Sequence, residues 1–349
     1  MPNVPTFIKP SRTMDEVQPL SQAVTILNSL RGVETSVVLD LNILNMMRSV
    51  MSGDSTLDEE NLSGLVDFFN SNLVCITPGF AFREADKEYV AGLRADYEKF
   101  MSWYCPGYID TPNCTHDFGK RARSREFKRL GRGDRYTLVI MYTAMLAIQV
   151  ISKEPQGASP EQKFSAYLDF MRTDADMVSA IEAEVAKYFF FDRTRVRDES
   201  FRSRCKIIRD NFNKGGKGRG RLQYTLNYAR DLAYYRFTAL QDGKPLDGVV
   251  QDCWLVTADQ ALIEIAKSIY FYPCEGEAAK FVALARNEEQ ERSDYWTYCD
   301  ELFQSAVVRR QRSGKSLARM TKKSWKKLFS SQRRLENKVL EYWPAEENV

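Results

Sequence analysis

The hydrophobic pattern of the chain is marked by short aliphatic runs that show no helical period. At 35–42, TSVVLDLN, the residues Val37, Val38 and Leu39 run straight into the carboxylate of Asp40. A contiguous apolar run of this length predicts a buried strand, of the kind found in parallel sheets. A second run at 253–259, CWLVTAD, repeats the arrangement and ends on Asp259. Residues 73–76 form a third run, closed by Thr77, Pro78 and Gly79, and 269–272 a fourth, before Pro273. In open α/β sheets ligands collect beyond the carboxyl ends of the strands. Two strands that each deliver an Asp to that edge therefore predict a shared acidic site.

Between these runs the apolar spacing turns helical. Val17, Leu20, Val24, Leu27 and Leu30 predict a helix over 15–30, ended by Gly32. Ile43, Leu44, Met46 and Met47 begin another directly after the first strand. Thr56-x-x-Glu59 has the capping-box pattern for a helix through Leu62, Leu65, Val66 and Phe69. Further helices are predicted at about 80–104, 134–152, 160–190, 198–212, 222–240, 260–268 and 277–308, and along a basic segment from 315 to 340. Residues 1–13 predict an extended or loose arm. The run 136–151, YTLVIMYTAMLAIQVI, is shorter than the ~20 residues a bilayer requires. It also contains Thr137, Thr143 and Gln149, so it predicts a buried core helix. The N-terminus lacks the apolar core of a signal peptide. A cytoplasmic protein with no membrane partner is the expectation.

Composition narrows the chemistry. With 349 residues, 44% hydrophobic and 28% charged, the chain has room for one large domain or two smaller ones. The net charge of +3 is unevenly spread. Basic residues crowd 120–132 and the glycine-rich loop 214–221, KGGKGRGR, and no acid occurs from 309 to 334. Seven Cys without a Cys-x-x-Cys pair give neither a disulfide framework nor a zinc signature, and fit reduced thiols. His116 is the only histidine, which argues against a Ser-His-Asp or Cys-His hydrolase and against a His-rich zinc site.

The acidic residues are then the chemistry-bearing set. Asp40 ends the first strand, Glu84 sits early on the helix after the second, Asp231 lies on the helix before the third, and Asp259 follows it. Brought to one sheet edge, four carboxylates repel one another, and at least one pKa should rise. A hard divalent cation, Mg²⁺ or Mn²⁺, relieves that repulsion and suits phosphoryl chemistry. Asn42 and Thr257, beside the strand ends, are assigned to substrate contact, as are Lys214, Lys217, Arg219 and Arg221 of the basic loop. That loop has neither Walker nor Gly-x-Gly-x-x-Gly spacing, so it reads equally as a mobile linker or as a phosphate-backbone contact. Each acid also has a plain structural reading. Asp259 can cap the following helix, Glu84 can face solvent, Asp231 can pair with Arg230 or Arg236, and Asn42 can be a cap.

Taken together, Leu39-Asp40-Leu41-Asn42, Thr77-Pro78 with Glu84 beyond, Arg230-Asp231-Leu232-Ala233 and Leu255-Val256-Thr257-Ala258-Asp259 resemble the motifs of PIN-domain nucleases. The resemblance implies an α/β fold, a three-layer α/β/α sandwich with a central parallel sheet. It also implies a metal-dependent phosphodiesterase that usually acts on single-stranded RNA. Asp40, Glu84, Asp231 and Asp259 match the family's acids residue by residue, although Asp86, Glu88 and Asp252 compete for two of the positions.

The nuclease core would span 33–104 and 220–275. A helical insertion with basic loops would occupy 105–219, and a helical basic extension 276–349. The expected activity is endoribonuclease, with DNA cleavage as the enzymatic variant and a bacterial toxin or phage-defence effector as the setting. A homo-oligomer or a regulatory protein partner is compatible with the additions. The alternative is a nucleic-acid-binding or scaffold protein whose PIN-like site is vestigial.

Overall fold

The computed structural model describes residues 4–12, 20–84, 87–109, 132–154, 156–214, 216–246, 248–272, 281–314 and 321–344. The chain separates into two compact units, Met1–Gly131 with Tyr234–Ala283, and Arg132–Ala233 with Leu284–Val349. The second unit takes most of the expected insertion, from Arg132, most of the expected extension, from Leu284, and also 220–233 of the expected nuclease core.

The first unit is mixed α/β. Its strands are β1 (Thr6–Ile8), β2 (Val33–Leu39), β3 (Cys75–Thr77), β4 (Pro245–Leu246) and β5 (Val249–Thr257). The sheet order is β1-β5-β2-β3. β2 runs parallel to both neighbours, with Leu39 opposite Val256 and Val38 opposite Thr77. The sheet is nevertheless mixed, because β1 and β4 pair antiparallel along the outer edge of β5. β1 comes from the arm expected to be loose: Phe7 and Ile8 alternate against β5, and Ile8 is buried. β6 (Ile269–Tyr272) and β7 (Phe281–Leu284) form a separate pair.

Val37 and Leu39 on β2, with Trp254 and Val256 on β5, are alternate residues of neighbouring strands and share a face. They pack into one core with helices α2 (Leu41–Ser52), α3 (Ser63–Ser71) and α5 (Lys87–Tyr104). Ile43, Leu44 and Met47 of α2, Leu65 and Phe69 of α3, and Leu93 and Phe100 of α5 supply that core. This unit also contains, among the described residues, α1 (Gln22–Leu30), α4 (Gly79–Glu84), the end of α10 (Gly218–Gln241) from Tyr234 and, after β5, α11 (Gln260–Ala266).

The capping-box pattern at Thr56 closes a turn instead of opening a helix. Thr56 and Glu59 do exchange side-chain and backbone bonds. Asn61 then adopts φ 56°, Leu62 N–H reaches back to Leu57 O, and the helix starts afresh at Ser63. A left-handed residue cannot continue a right-handed helix.

The second unit is helical. It contains α6 (Arg132–Lys153), α7 (Pro160–Thr173), α8 (Ala180–Phe190), α9 (Glu199–Asn213), the first part of α10 (Gly218–Gln241), α12 (Glu288–Glu291), α13 (Asp294–Arg312) and α14 (Lys322–Tyr342). From Met141 to Val150 every residue of α6 is buried, as a helix apolar on all sides must be. Its one strongly polar interior residue, Gln149, donates to Phe212 O. Among the described residues no helix is long and apolar enough to cross a membrane. The single helix expected over 160–190 breaks at Asp176, which has φ 55°, and α8 begins after Ser179.

Burial of charge in this unit is balanced. Glu184 and Lys187 on α8 are almost fully buried and meet Arg286 and Asp300. Burial alone would raise the Glu184 pKa, but Arg286 and Lys187 outweigh it and hold the carboxyl below its usual range. Two acids against two bases leave no net charge in the core.

Candidate strand-edge site

β2 and β5 end side by side, and the ladder continues one step past β2 through Asp40 N–H to Val256 O at 3.0 Å. Asp40 and Thr257 therefore stand as neighbours at the carboxyl edge. Asp40 is 1% exposed, Thr257 is fully buried, and Thr257 Oγ1 donates to Asp40 Oδ2 at 2.6 Å. Asn42 Nδ2 donates to the same oxygen at 3.1 Å from the exposed first turn of α2. Asp40 occupies the N-cap position of α2 with extended backbone, but its carboxylate makes no capping bond. Its other oxygen, Oδ1, is buried with no hydrogen-bond partner among the described residues.

Asp259 lies two residues beyond Thr257. Its N–H donates to Thr257 Oγ1 at 3.0 Å, and its Oδ1 accepts the Leu262 N–H at 2.8 Å, capping α11. The Thr257 hydroxyl thus links the two acids. It accepts a hydrogen bond from the Asp259 backbone N–H and donates one to the Asp40 carboxylate.

The electrostatics follow from this placement. Burial, the largest influence, raises the Asp40 pKa from 3.8 to about 6. The hydrogen bond from Thr257 pulls it down, the nearby Asp259 carboxylate pushes it up, and the Leu41 backbone N–H and then Asn42 pull it down again. A raised pKa was expected from crowding of like charges. The structure shows it at Asp40, with desolvation ahead of the Asp259 repulsion.

The other candidate acids are placed differently. Glu84 is the last residue of α4, which leaves the same edge after Thr77, and its side chain lies outside the described residues. Asp86 lies outside them too, as does the Glu88 side chain. Asp231 belongs to the second unit, on the first part of α10, half-buried and engaged by neighbours. Asp252 is held in a structural knot in which Lys9 Nζ bonds to it, Asn28 Nδ2 reaches it at 2.9 Å and Trp254 Nε1 at 2.8 Å. Among the described residues no group of three or more His, Cys, Asp or Glu side chains is arranged to hold a metal.

Of the basic loop, Lys214, Lys217 and Arg219 are exposed. Arg221 is 6% exposed. Its guanidinium lies 3.9 Å from the centre of the Trp343 ring and donates to Gln149 Oε1 at 2.6 Å and 3.1 Å and to Asn213 Oδ1 at 3.1 Å. That geometry spends the fork inside the second unit. His116 and the basic cluster at 120–131 lie outside the described residues.

Sequence reasoning treated Thr257 as a substrate contact and did not find its part as the hydroxyl between two acids. It also left Lys9 unread. This cation is 6% exposed and meets Asp242 at 2.6 Å, Asp252, and Cys253 O at 3.3 Å. A lysine set between the apolar pair Phe7-Ile8 and Pro10 was the available signal.

No protein-family model, no curated protein and no solved structure matches the chain. Fold and site define a mixed α/β protein with two carboxylates at the carboxyl edge of adjacent parallel strands.

Proposed function

We propose that the first unit is a PIN-like metal-dependent phosphodiesterase, an endoribonuclease working at Asp40 and Asp259. The observation that carries the reading is the buried Asp40 carboxylate, with Oδ1 unpartnered beside a second acid at a parallel-strand edge. A site of this kind fits a hard cation, since Mg²⁺ and Mn²⁺ prefer oxygen donors and Mg²⁺ commonly takes only one or two protein carboxylates, completing its shell with water and substrate phosphate. Asp40 and Asp259 would hold it. The chemistry such an ion supplies is activation of a water and neutralisation of charge on the scissile phosphate. The chain's own residues prepare the place. Thr257 and Asn42 fix the Asp40 carboxylate through Oδ2 and leave Oδ1 directed elsewhere, while α11, capped by Asp259, holds the second acid in register. The reading asks nothing of Asp231.

The test is cleavage of a labelled single-stranded RNA by the full chain with Mn²⁺, with a single-stranded DNA of the same sequence as second substrate. Activity that falls at least 100-fold in both Asp40→Asn and Asp259→Asn supports the proposal. Equal activity in wild type and variants removes it.

A second reading, a nucleic-acid-binding or scaffold protein with a vestigial site, is favoured by one observation. The Asp259 Oδ1 and the Asp40 Oδ2 are both spent on local hydrogen bonds, as structural carboxylates are. Metal binding separates the two readings.

A further inference from the structure

From Arg309 to Arg334 the chain carries eleven Lys and Arg and no acid. Among the described residues, the bases at Arg310 and along α14 fall into two groups. One group is engaged: Arg310 meets Asp176 at 3.2 Å and Arg334 pairs with Asp174. Beyond this stretch, Lys338 meets Glu154 at 3.1 Å. Arg310 fastens the end of α13, whereas Arg334, Lys338 and Ser324, which donates to the same Asp176, fasten α14 to its own unit. The buried stripe Leu328, Ser331, Leu335 and Val339 completes the attachment.

The other group points outward. Lys322, Lys323, Lys326 and Arg333 are exposed on α14 and have no acidic partner among the described residues. Lys327, also exposed, adds only the smallest share to the lowering of the Asp174 pKa, which burial opposes and Arg334 chiefly produces.

This ridge works against the helix that carries it. Lys322 and Lys326, and Lys323 and Lys327, are like charges at i,i+4, a destabilising arrangement. Lys322 and Lys323 also sit in the first turn, where the helix dipole favours negative charge and where α14 has no acid. The dipole and the lysines add to one positive field at that end. An external polyanion relieves both penalties.

We propose that the outer face of α14 is a docking surface for the phosphate backbone of a nucleic acid. From Lys322 to Arg333 the ridge is roughly 16 Å long at the rise of an α-helix, enough to meet several successive phosphates. The occupant is a nucleic acid in preference to a lipid surface because of what the ridge lacks. Interfacial helices bury Trp, Phe or Leu in the membrane. Here Trp325, Leu328, Phe329 and Leu335 are buried or half-buried, and the exposed positions between Lys322 and Arg333 carry only Lys, Arg and Ser. With no bidentate partners arranged for base edges, contact of this kind reads charge and not sequence. The inference extends the proposed function to the second unit and stands or falls separately from cleavage.

The test measures binding of a labelled oligouridine RNA to the full chain carrying Asp40→Asn, without metal, over a salt series. Each neutralised phosphate contributes a slope of about −0.7 to −0.9 to log Kobs against log salt. The fourfold variant Lys322→Gln, Lys323→Gln, Lys326→Gln, Arg333→Gln is expected to flatten the slope by about 3 and to weaken binding on the order of 100-fold at 0.15 M salt. The same lysines changed to Arg should keep the slope, and the circular-dichroism melt of the Gln variant should show α14 intact. An unchanged slope and affinity in a folded Gln variant overturns the proposal. So does binding to phosphatidylserine vesicles with none to RNA. RNA bound with the expected slope here, while the wild type with Mn²⁺ leaves the same RNA uncut, would count only against the nuclease reading.

Discussion

Thr257 Oγ1 donates to Asp40 Oδ2 at 2.6 Å and accepts the Asp259 N–H at 3.0 Å, so one buried hydroxyl ties the carboxylate of the first acid to the backbone of the second. Replacing it isolates its contribution. Thr257→Val keeps the shape, leaves Asp40 with one donor fewer, and exposes the Asp259 N–H to no acceptor. A loss of about 1–3 kcal/mol in urea unfolding is expected. The Asp40 pKa should climb further, because the Thr257 bond lowers it. An unchanged midpoint would mean that water replaces the hydroxyl without cost.

Asp40 imposes a pH dependence of unusual sign. Its folded pKa, about 6, lies above the ordinary 3.8, so the folded state binds the proton more tightly than the unfolded chain. The contribution of Asp40 is therefore most favourable below about pH 4, is lost as pH rises through 6, and is level above that. The span corresponds to about 3 kcal/mol. In the metal-free protein, the stability of wild type relative to Asp40→Asn is expected to fall between pH 4 and 6. A flat difference, measured by denaturant unfolding across that range, would show that Asp40 is not desolvated.

Lys9 holds the first unit together through its arm. Burial opposes ionisation of Asp242, yet Lys9 outweighs it and keeps the carboxyl below its usual range. This group's stabilisation is present at neutral pH and is lost as pH falls through the depressed pKa. Lys9→Met leaves Asp242 buried without its counter-charge and is expected to cost about 3–5 kcal/mol in thermal or chemical unfolding. Adding Asp242→Asn to Lys9→Met should recover much of that loss.

Arg221 is expected to act on stability and not on substrate. Arg221→Ala removes the stack on Trp343 and leaves Gln149 Oε1 unpaired in the interior. A loss of about 2 kcal/mol is expected, and Arg221→Lys should restore little of it, since an ammonium lacks the planar fork. RNA affinity that falls while the melt stays unchanged would return this residue to the substrate surface.

The strand-end acids were legible in the sequence because two short aliphatic runs each stopped on an Asp, and parallel pairing brings such ends together. The buried helix at 136–151 was legible for a similar reason, its length and apolar surface. The arm at Thr6–Ile8 was not, because three residues carry too little period and pair only through a strand some 250 positions away. Helix ends failed at Asn61 and Asp176, where an Asn and an Asp take positive φ, a preference of these residue types too weak to place a helix end from sequence. Asp40 and Asp259 stand, as the sequence pattern led one to expect, directly after β2 and β5 and before the helices that follow. The Asp231 motif carried the right residue type, but its helix crosses from one unit to the other, and sequence order alone does not say on which side of that boundary a residue falls.

The most direct measurement is a calorimetric titration of the full-length, metal-free protein with Mn²⁺, beside Asp40→Asn and Asp259→Asn. Binding by the wild type that weakens at least tenfold, about 1.4 kcal/mol, in each variant is the expected result. Absence of binding by the wild type, or equal affinity in Asp40→Asn, would contradict a cation held at this edge.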